Sequence, residues 1–186
     1  PGLTLAINEV EKFEMLMETA CKAVRAFIND EPTDLKIYEI EHPDILLWAV
    51  WCIQQYAKMV SREKCREKYG EILEEIMEFL RHENHPNLFI HSNGLLYTNG
   101  HDKAVTWMNS TANGRPVIPR TGYIVEINAL WYNALRFVAD LLGEKESTML
   151  TEALNKQAEQ AGASFVNVFL NEHGYLLDYV DGIMMD

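Results

Sequence analysis

Apolar residues recur at intervals of three and four positions over much of the chain, a pattern typical of amphipathic helices. The first such stretch runs from about residue 9 to residue 29 and is followed by the helix-terminating pair Glu31-Pro32. Another runs from residue 61 to residue 81, with Ser61 as the expected N-cap and a glutamate-rich face opposite the apolar stripe. Both patterns predict helices with one face in solvent.

A different pattern occupies residues 44–59, where Ile45, Leu46, Leu47, Val50 and Ile53 leave almost no polar face. Such a helix is buried on nearly all sides and belongs in an inner layer. Amphipathic periodicity returns at 123–142 and at 147–170. We expect Gly143 to end the first of these helices and Ser147 to cap the second.

Residues 82–122 lack helical periodicity and are rich in Gly, Pro, Asn and His. They predict a loop of roughly forty residues, far longer than most connections within a domain, and loops of that length usually carry function. Near the end of the chain, residues 174–177 are typical of a short hairpin or turn. No segment predicts a strand of any length.

The alternation of nearly all-apolar and striped helices predicts an all-α fold. Inner helices covered by outer ones, with a functional loop at one end, are what an alpha/alpha toroid of the six-hairpin type requires. About two and a half helix pairs are present, so we interpret residues 1–186 as a single domain that forms a partial arc of such a ring. An arc leaves inner apolar surface uncovered, which favours self-association.

Composition and charge disfavour some classes of binding partner and some cellular locations. The formal net charge of −12 and the pI near 4.9 disfavour nucleic acid and anionic membrane surfaces, which would be repelled. Cys21, Cys52 and Cys65 are odd in number, and two of them lie in apolar helical patterns, so reduced thiols are expected. No apolar run is long enough to span a bilayer. These features together predict a cytoplasmic protein.

Candidate chemistry is concentrated between residues 100 and 135. Indole rings there offer flat apolar faces, a guanidinium offers a rigid fork of donors, and amides and carboxylates offer hydrogen-bonding ends. This combination suits a polyhydroxylated ring, so we predict a sugar ligand. The side chains concerned are Asp102, Trp107, Asn109, Arg120, Glu126, Asn128 and Trp131.

The same region resembles a known family. The sequence VEINALWYNAL at 125–135, preceded by Pro119-Arg120, is similar almost letter for letter to a signature of the glycogen debranching enzymes of the amylo-alpha-1,6-glucosidase type. TWMN at 106–109 resembles their TWMD, and DILLW at 44–48 resembles their D-A-x-L-W. Residues 171–178 resemble N-E-x-x-G-Y-L-x-D with one residue fewer. The resemblance extends from about Tyr38 to Asp181.

The resemblance implies a glycoside hydrolase that cleaves alpha-1,6-linked glucose branches of a glucan with inversion. Inversion needs a protonated carboxyl and an ionised carboxylate roughly 6.5 to 9.5 Å apart. The family's acid position corresponds to Asn109, whose amide has no proton to transfer. The base is expected in the remainder of the parent chain, beyond Asp186. We therefore expect the isolated segment to be inactive and to need no cofactor.

For the site itself, the resemblance implies catalytic positions at Asn109 and Glu126. It also implies substrate-binding residues, namely Asp44, Trp48, Trp107, Arg120, Asn128 and Trp131. Several of these have a purely structural alternative. Glu126 could cap its helix or pair with Arg120, Asp44 could be an N-cap, and Trp131 could belong to the core. Trp107 lies in a polar loop, which favours stacking on a glucose unit.

A metal site and an inactive binding domain are the alternatives to the hydrolase hypothesis. His82, His85 and His91 lie within ten residues, but their order is not H-E-x-x-H and no acidic ligand is fixed by spacing, so no metal site is predicted. His101 and Asp102 have no clean match and are kept as minor cleft residues. The rival function is a catalytically inactive carbohydrate-binding or regulatory helical domain, which keeps the cleft and has lost the acid.

Overall fold

The computed structural model describes residues 2–35, 37, 40–108 and 110–181. This part of the chain is mostly helical, as the periodicity predicts. Its six helices are α1 (Gly2–Ala6), α2 (Val10–Ile28), α3 (Ile45–Met59), α4 (Arg62–Arg81), α5 (Val125–Gly143) and α6 (Met149–Phe169). Only α1 was not expected, because five residues are too few to show a period.

Helices α3 and α5 lie side by side and supply much of a single buried apolar cluster. Leu46, Val50 and Ile53 of α3 are fully buried, as are Leu135 and Val138 of α5. The predicted contact between these two inner helices is therefore confirmed.

Helix α4 covers the inner pair from outside. Its apolar stripe packs against α2, α3 and α5, whereas Glu67, Glu71 and Glu74 on its other face are exposed. Ser61 caps it as predicted, by accepting a hydrogen bond from the backbone amide of Lys64. Helix α6 packs along α5 and completes a helical hairpin.

Two predicted helix boundaries need correction. Thr148, not Ser147, caps α6, because Thr148 and Thr151 exchange side-chain to backbone hydrogen bonds in a capping box. The Ser147 hydroxyl instead donates to Glu152. Gly143 ends α5 as predicted, whereas the helix begins at Val125 rather than at residue 123. The residue after Gly143, Glu144, forms an ion pair with an arginine of α4 at 2.5 Å.

Short strands interrupt the long loop and follow residue 178, whereas the sequence predicted only a short hairpin or turn at 174–177; there an antiparallel bridge joins Leu170 to Leu176. The strands form three antiparallel pairs: β1 (Phe89–Ile90) with β2 (Leu96–Tyr97), β3 (Thr111–Ala112) with β4 (Arg115–Pro116), and β5 (Tyr123–Ile124) with β6 (Tyr179–Val180). Each has two residues, too few for alternation to be visible. The Asn113-Gly114 turn between β3 and β4, with both φ angles positive, is a signal that was available.

The pairing of β5 with β6 brings the end of the described chain back over the start of α5. Gly122 makes this close approach feasible: its φ is +97°, and a Cβ atom there would lie 2.2 Å from the Val180 carbonyl oxygen. The backbone amide of Val125, the first residue of α5, donates to the Asp178 carbonyl at 3.1 Å. Residues 178–180 are thereby fixed beside the N-terminus of α5.

Among the residues that the structure describes, none of the helices combines the length and apolar character needed to cross a bilayer. The three cysteines are unpaired, as expected, and burial raises the pKa of the Cys65 thiol to about 12. Cys65 donates weakly to the Ile53 carbonyl in the core. It is therefore an inert packing residue rather than a nucleophile.

A buried histidine gives the fold a predictable pH dependence. His85 packs between Phe27 and Phe79, and burial lowers its pKa to about 4. Its Nδ1 accepts from the Asn87 amide, so the proton resides on Nε2, which has no hydrogen-bond partner among the described residues. The folded state thus disfavours the imidazolium form that the unfolded chain adopts below about pH 6.5.

We expect the free energy of unfolding to fall by about 3 kcal/mol as pH drops from about 6.5 to 4, because the unfolded state binds the His85 proton first. Replacing His85 by Phe should flatten this slope in urea titrations, since Phe keeps the aromatic contacts and does not titrate. The exposed His173, changed to Gln, is the matched control. A slope that is unchanged in His85→Phe would contradict this assignment.

Candidate functional site

Arg120 is the centre of the site. Although it is 3% exposed, its guanidinium uses all five N–H donors. Nη1 and Nη2 donate to the two Glu126 oxygens at 2.5 and 2.7 Å, and Nε and Nη2 donate to the two Asp178 oxygens at 3.1 and 2.8 Å. The remaining Nη1 donor reaches the Thr106 hydroxyl at 3.2 Å. Arg120 is therefore a brace between three segments and has no donor left for a ligand.

The electrostatics of this brace are favourable despite burial. Burial alone would lower the pKa of Arg120, but its hydrogen bonds to Glu126 and Asp178 raise the pKa above the ordinary value. The two carboxylates remain accessible: 25% of the Glu126 side chain and 55% of the Asp178 side chain are exposed. Each Glu126 oxygen accepts one hydrogen bond from Arg120 and keeps a lone pair for a ligand hydroxyl.

Glu126 lies in the first turn of α5, where the helix dipole favours a carboxylate. Ile124, at the N-cap position, supplies no side-chain acceptor. The sequence left two roles open for Glu126, and its ion pair with Arg120 is present in the structure. Because 25% of the Glu126 side chain remains exposed, the ion pair is compatible with a ligand contact by Glu126.

Asp44 stands at the start of α3, buried, and its side chain does not cap the helix. Burial raises the pKa of this carboxyl, and the nearby charge of Glu126 adds to the rise. His42 and the side chain of Trp48 act in the opposite direction. The charge of Glu126 acts on Asp44, so the beginnings of the two inner helices are linked electrostatically.

Two indoles are available to a ligand near these carboxylates. Trp107 is 67% exposed and directly follows Thr106, which is tied to Arg120. Trp48 is 40% exposed in the first turn of α3, one turn after Asp44. An ion pair between Lys103 and Glu41 links the loop that carries Trp107 to the segment before α3.

Asn128 and Trp131 were expected to contact the sugar, but they lie in the core. Both are fully buried. The Asn128 amide bonds to the backbone N and O of Leu96 at 2.7 and 2.9 Å, and the Trp131 indole donates to the Gly94 carbonyl at 3.2 Å. Their polar atoms anchor the β1–β2 hairpin on α5, so neither side chain offers a surface to a ligand. Trp131 fits the core alternative.

The other predicted positions are Asn109, His101 and Asp102. Asn109 lies outside the described residues. His101 and Asp102 are exposed on the loop. Within the described ranges, no group of three or more His, Cys, Asp and Glu side chains is arranged to hold a metal ion.

Asp178 and Thr106 are the site residues that sequence reasoning did not select. Asp178 closes the motif at 171–178 and Thr106 opens TWMN, so both were inside recognised motifs. Their contacts with Arg120 join positions 58 and 14 residues apart, which no local pattern reveals. Only the fold shows that Arg120 is buried between Asp178 and Thr106.

The arrangement is suited to hydroxyl groups. The carboxyl groups of Glu126 and Asp178 share one compensating guanidinium, and the charge of Glu126 acts on the nearby Asp44, so the cluster is acceptor-rich and repels anions. Exposed indoles beside the acceptors supply flat apolar faces. Acceptors with neighbouring aromatic faces match the alternation of hydroxyls and C–H groups on a pyranose ring.

Comparison with known proteins agrees with this chemistry. No curated protein and no solved structure gave a match to the chain. The model of one family, described as amylo-alpha-1,6-glucosidase, matches residues 32–185, which include Asp44, the Arg120 brace and Asp178. With most of its length matched, the chain belongs to the amylo-alpha-1,6-glucosidase family, a family of glycoside hydrolases.

Proposed function

We propose that this chain is the glucan-binding part of a debranching hydrolase, which in its parent protein cleaves alpha-1,6-glucosidic branch linkages of glycogen-like glucans with inversion. The observation that carries the proposal is the Arg120 brace, which holds two partly exposed carboxylates beside the exposed Trp107 loop. The family membership supplies the linkage, and the brace supplies the acceptors for sugar hydroxyls.

In this proposal the residues have separate roles. Trp107 and Trp48 stack on glucose units, and Asp44 and Glu126 accept hydrogen bonds from sugar hydroxyls. Arg120, Asn128 and Trp131 support the site from within the protein rather than by direct contact. Asn109 occupies the acid position and orients a sugar oxygen without donating a catalytic proton.

The remaining elements of the proposal concern the rest of the protein. We propose that the helices form an arc of an alpha/alpha toroid, to which the remainder of the parent chain adds further helices and the catalytic base. A groove of about 390 Å³, lined by Ala129, Tyr132, Gly162, Phe165 and Val166, leaves apolar surface on α5 and α6. Through such surface the isolated chain would self-associate at high concentration.

Isomaltose and maltose should bind this chain with a dissociation constant around 1 mM, because each contact nets only about 0.5 to 1.5 kcal/mol. Replacing Trp107 by Ala should weaken binding roughly two- to tenfold by removing the stacking face. Isothermal titration calorimetry measures both. The control is Met149→Ala, which truncates a 90% exposed side chain at the start of α6.

Equal affinity of Trp107→Ala and the unchanged protein, or no binding of either sugar at tens of millimolar, would contradict the proposed site. A larger loss in Met149→Ala than in Trp107→Ala would do the same. Trp107 is so exposed that its replacement should leave the unfolding midpoint nearly unchanged. The affinity therefore reports on contact rather than on folding.

A second candidate function is a catalytically inactive carbohydrate-binding or regulatory domain. The observation that favours it is the amide at position 109, where the family has its acid. Both functions predict sugar binding, and they differ only in turnover by the parent protein. The assay that separates them depends on restoring the carboxyl group.

A further inference from the structure

Asp178 has no assigned role, yet it contributes two of the five hydrogen bonds that hold the buried Arg120. Its backbone has anchors that are separate from Arg120. Its carbonyl accepts from the Val125 amide, and the residue after it pairs with Ile124 in the β5–β6 ladder. Asp178 is therefore a fixed point from which Arg120 is oriented.

We propose that Asp178 is a positioning residue, which acts through Arg120 to hold the Glu126 carboxylate in one orientation. Arg120 meets Glu126 with Nη1 and Nη2 and meets Asp178 with Nε and Nη2. A planar guanidinium held along one edge by Asp178 presents its other edge in one direction only. Glu126 binds that edge through both oxygens, so its plane is set by Asp178.

The close approach of β6 to the start of α5 depends on a glycine. At Gly122 a side chain would collide with the Val180 carbonyl, so the absence of a side chain lets β6, which directly follows Asp178, approach this position. Thr106 completes the guanidinium shell from the loop that carries Trp107. One buried arginine thus sets the relative positions of the acceptor Glu126 and the stacking loop.

The consequence for sugar binding rests on the proposed function, whereas the positioning itself does not. Sugar hydroxyls are recognised by acceptors whose direction is fixed before binding, since ordering a mobile side chain costs affinity. If Asp178 acts only through Glu126, replacing Asp178 should weaken sugar binding when Glu126 is present. The same replacement should change sugar binding little when Glu126 has also been replaced. A direct contact between Asp178 and the sugar would instead be independent of Glu126.

The first measurement needs no sugar. The side-chain carboxyl 13C resonance of Glu126, assigned by its loss in Glu126→Gln, is compared between the unchanged 186-residue chain and Asp178→Asn. The asparagine keeps the shape but turns an NH2 group toward a guanidinium donor. We expect a shift several times larger than that caused by Glu172→Gln, the matched control, whose side chain is 87% exposed in the same segment.

The second measurement is isomaltose affinity in a double-mutant cycle. We expect Asp178→Asn to weaken binding roughly three- to tenfold alone and less than twofold in the Glu126→Gln background. An unchanged Glu126 resonance, or equal weakening in both backgrounds, would overturn the proposal. If the unchanged chain binds no isomaltose, the proposed function fails and the resonance still decides the positioning. If Asp178→Asn does not fold, Asp178→Glu, which keeps the charge and displaces the oxygens, is measured in its place.

Discussion

Restoring a carboxyl group by Asn109→Asp is expected to raise glucose release by the parent protein by roughly 100- to 10,000-fold. This is the usual contribution of a positioned general acid, and an amide cannot supply it. The assay is release of glucose from a branched limit dextrin by four proteins. They are this chain and the proposed parent protein, each with Asn109 and each with Asn109→Asp. We expect turnover only in the parent protein that carries Asn109→Asp.

Robust turnover by the parent protein with Asn109 in place would contradict this role and would mean that another residue is the acid. Asp44 and Glu126 are then the residues to replace, by Asn and Gln respectively. Both oxygens of Glu126 accept hydrogen bonds from Arg120, which arranges it as an acceptor. Asp44 is buried, and burial raises the pKa of its carboxyl, which is the direction of shift that a general acid needs.

Replacing Arg120 by Met is expected to lower the free energy of unfolding by about 3 kcal/mol. The change removes five hydrogen bonds and leaves Glu126 and Asp178 as neighbouring like charges. The cost stays at the lower end for a buried ion pair because water reaches both carboxylates. Urea titration at pH 7 measures it.

Arg115→Met is the matched control for this substitution. Arg115 lies in the same loop on β4 and is exposed, so its replacement should change stability by less than about 0.5 kcal/mol. Adding Glu126→Gln to Arg120→Met should recover part of the loss, since one of the two unpaired charges is removed. A stability of Arg120→Met equal to that of Arg115→Met would contradict the bracing role.

The helices could be predicted because each carries its own signal. The stripes of α2 and α4, and the nearly all-apolar α3, are local patterns that tertiary packing reinforces. The two-residue strands carry no such signal, and the toroid depends on how helix pairs curve, which periodicity does not encode. The loop from 82 to 122 was identified correctly as irregular, but its hairpins were hidden in its Gly- and Asn-rich composition.

The sequence indicated most of the residues around the site, but it did not indicate which of them are buried and which are exposed. Asn128, Trp131 and Leu135 follow each other by three and four residues, so they share one helix face, and the burial of Leu135 places the other two in the core. Arg120 looked like a ligand-binding residue because its partner Asp178 is far away in sequence. A long-range ion pair of this kind can be identified only from the fold, in which residues 178–180 lie beside the N-terminus of α5.

The most direct test of the glucan site is the response of the indole N–H signals to isomaltose in 15N-labelled protein. Trp107 and Trp48 are exposed near the braced carboxylates, whereas Trp131 is buried with its N–H bonded to Gly94. We predict that millimolar isomaltose shifts the Trp107 and Trp48 signals progressively and leaves the Trp131 signal in place. Unmoved Trp107 and Trp48 signals at saturating isomaltose would contradict the account.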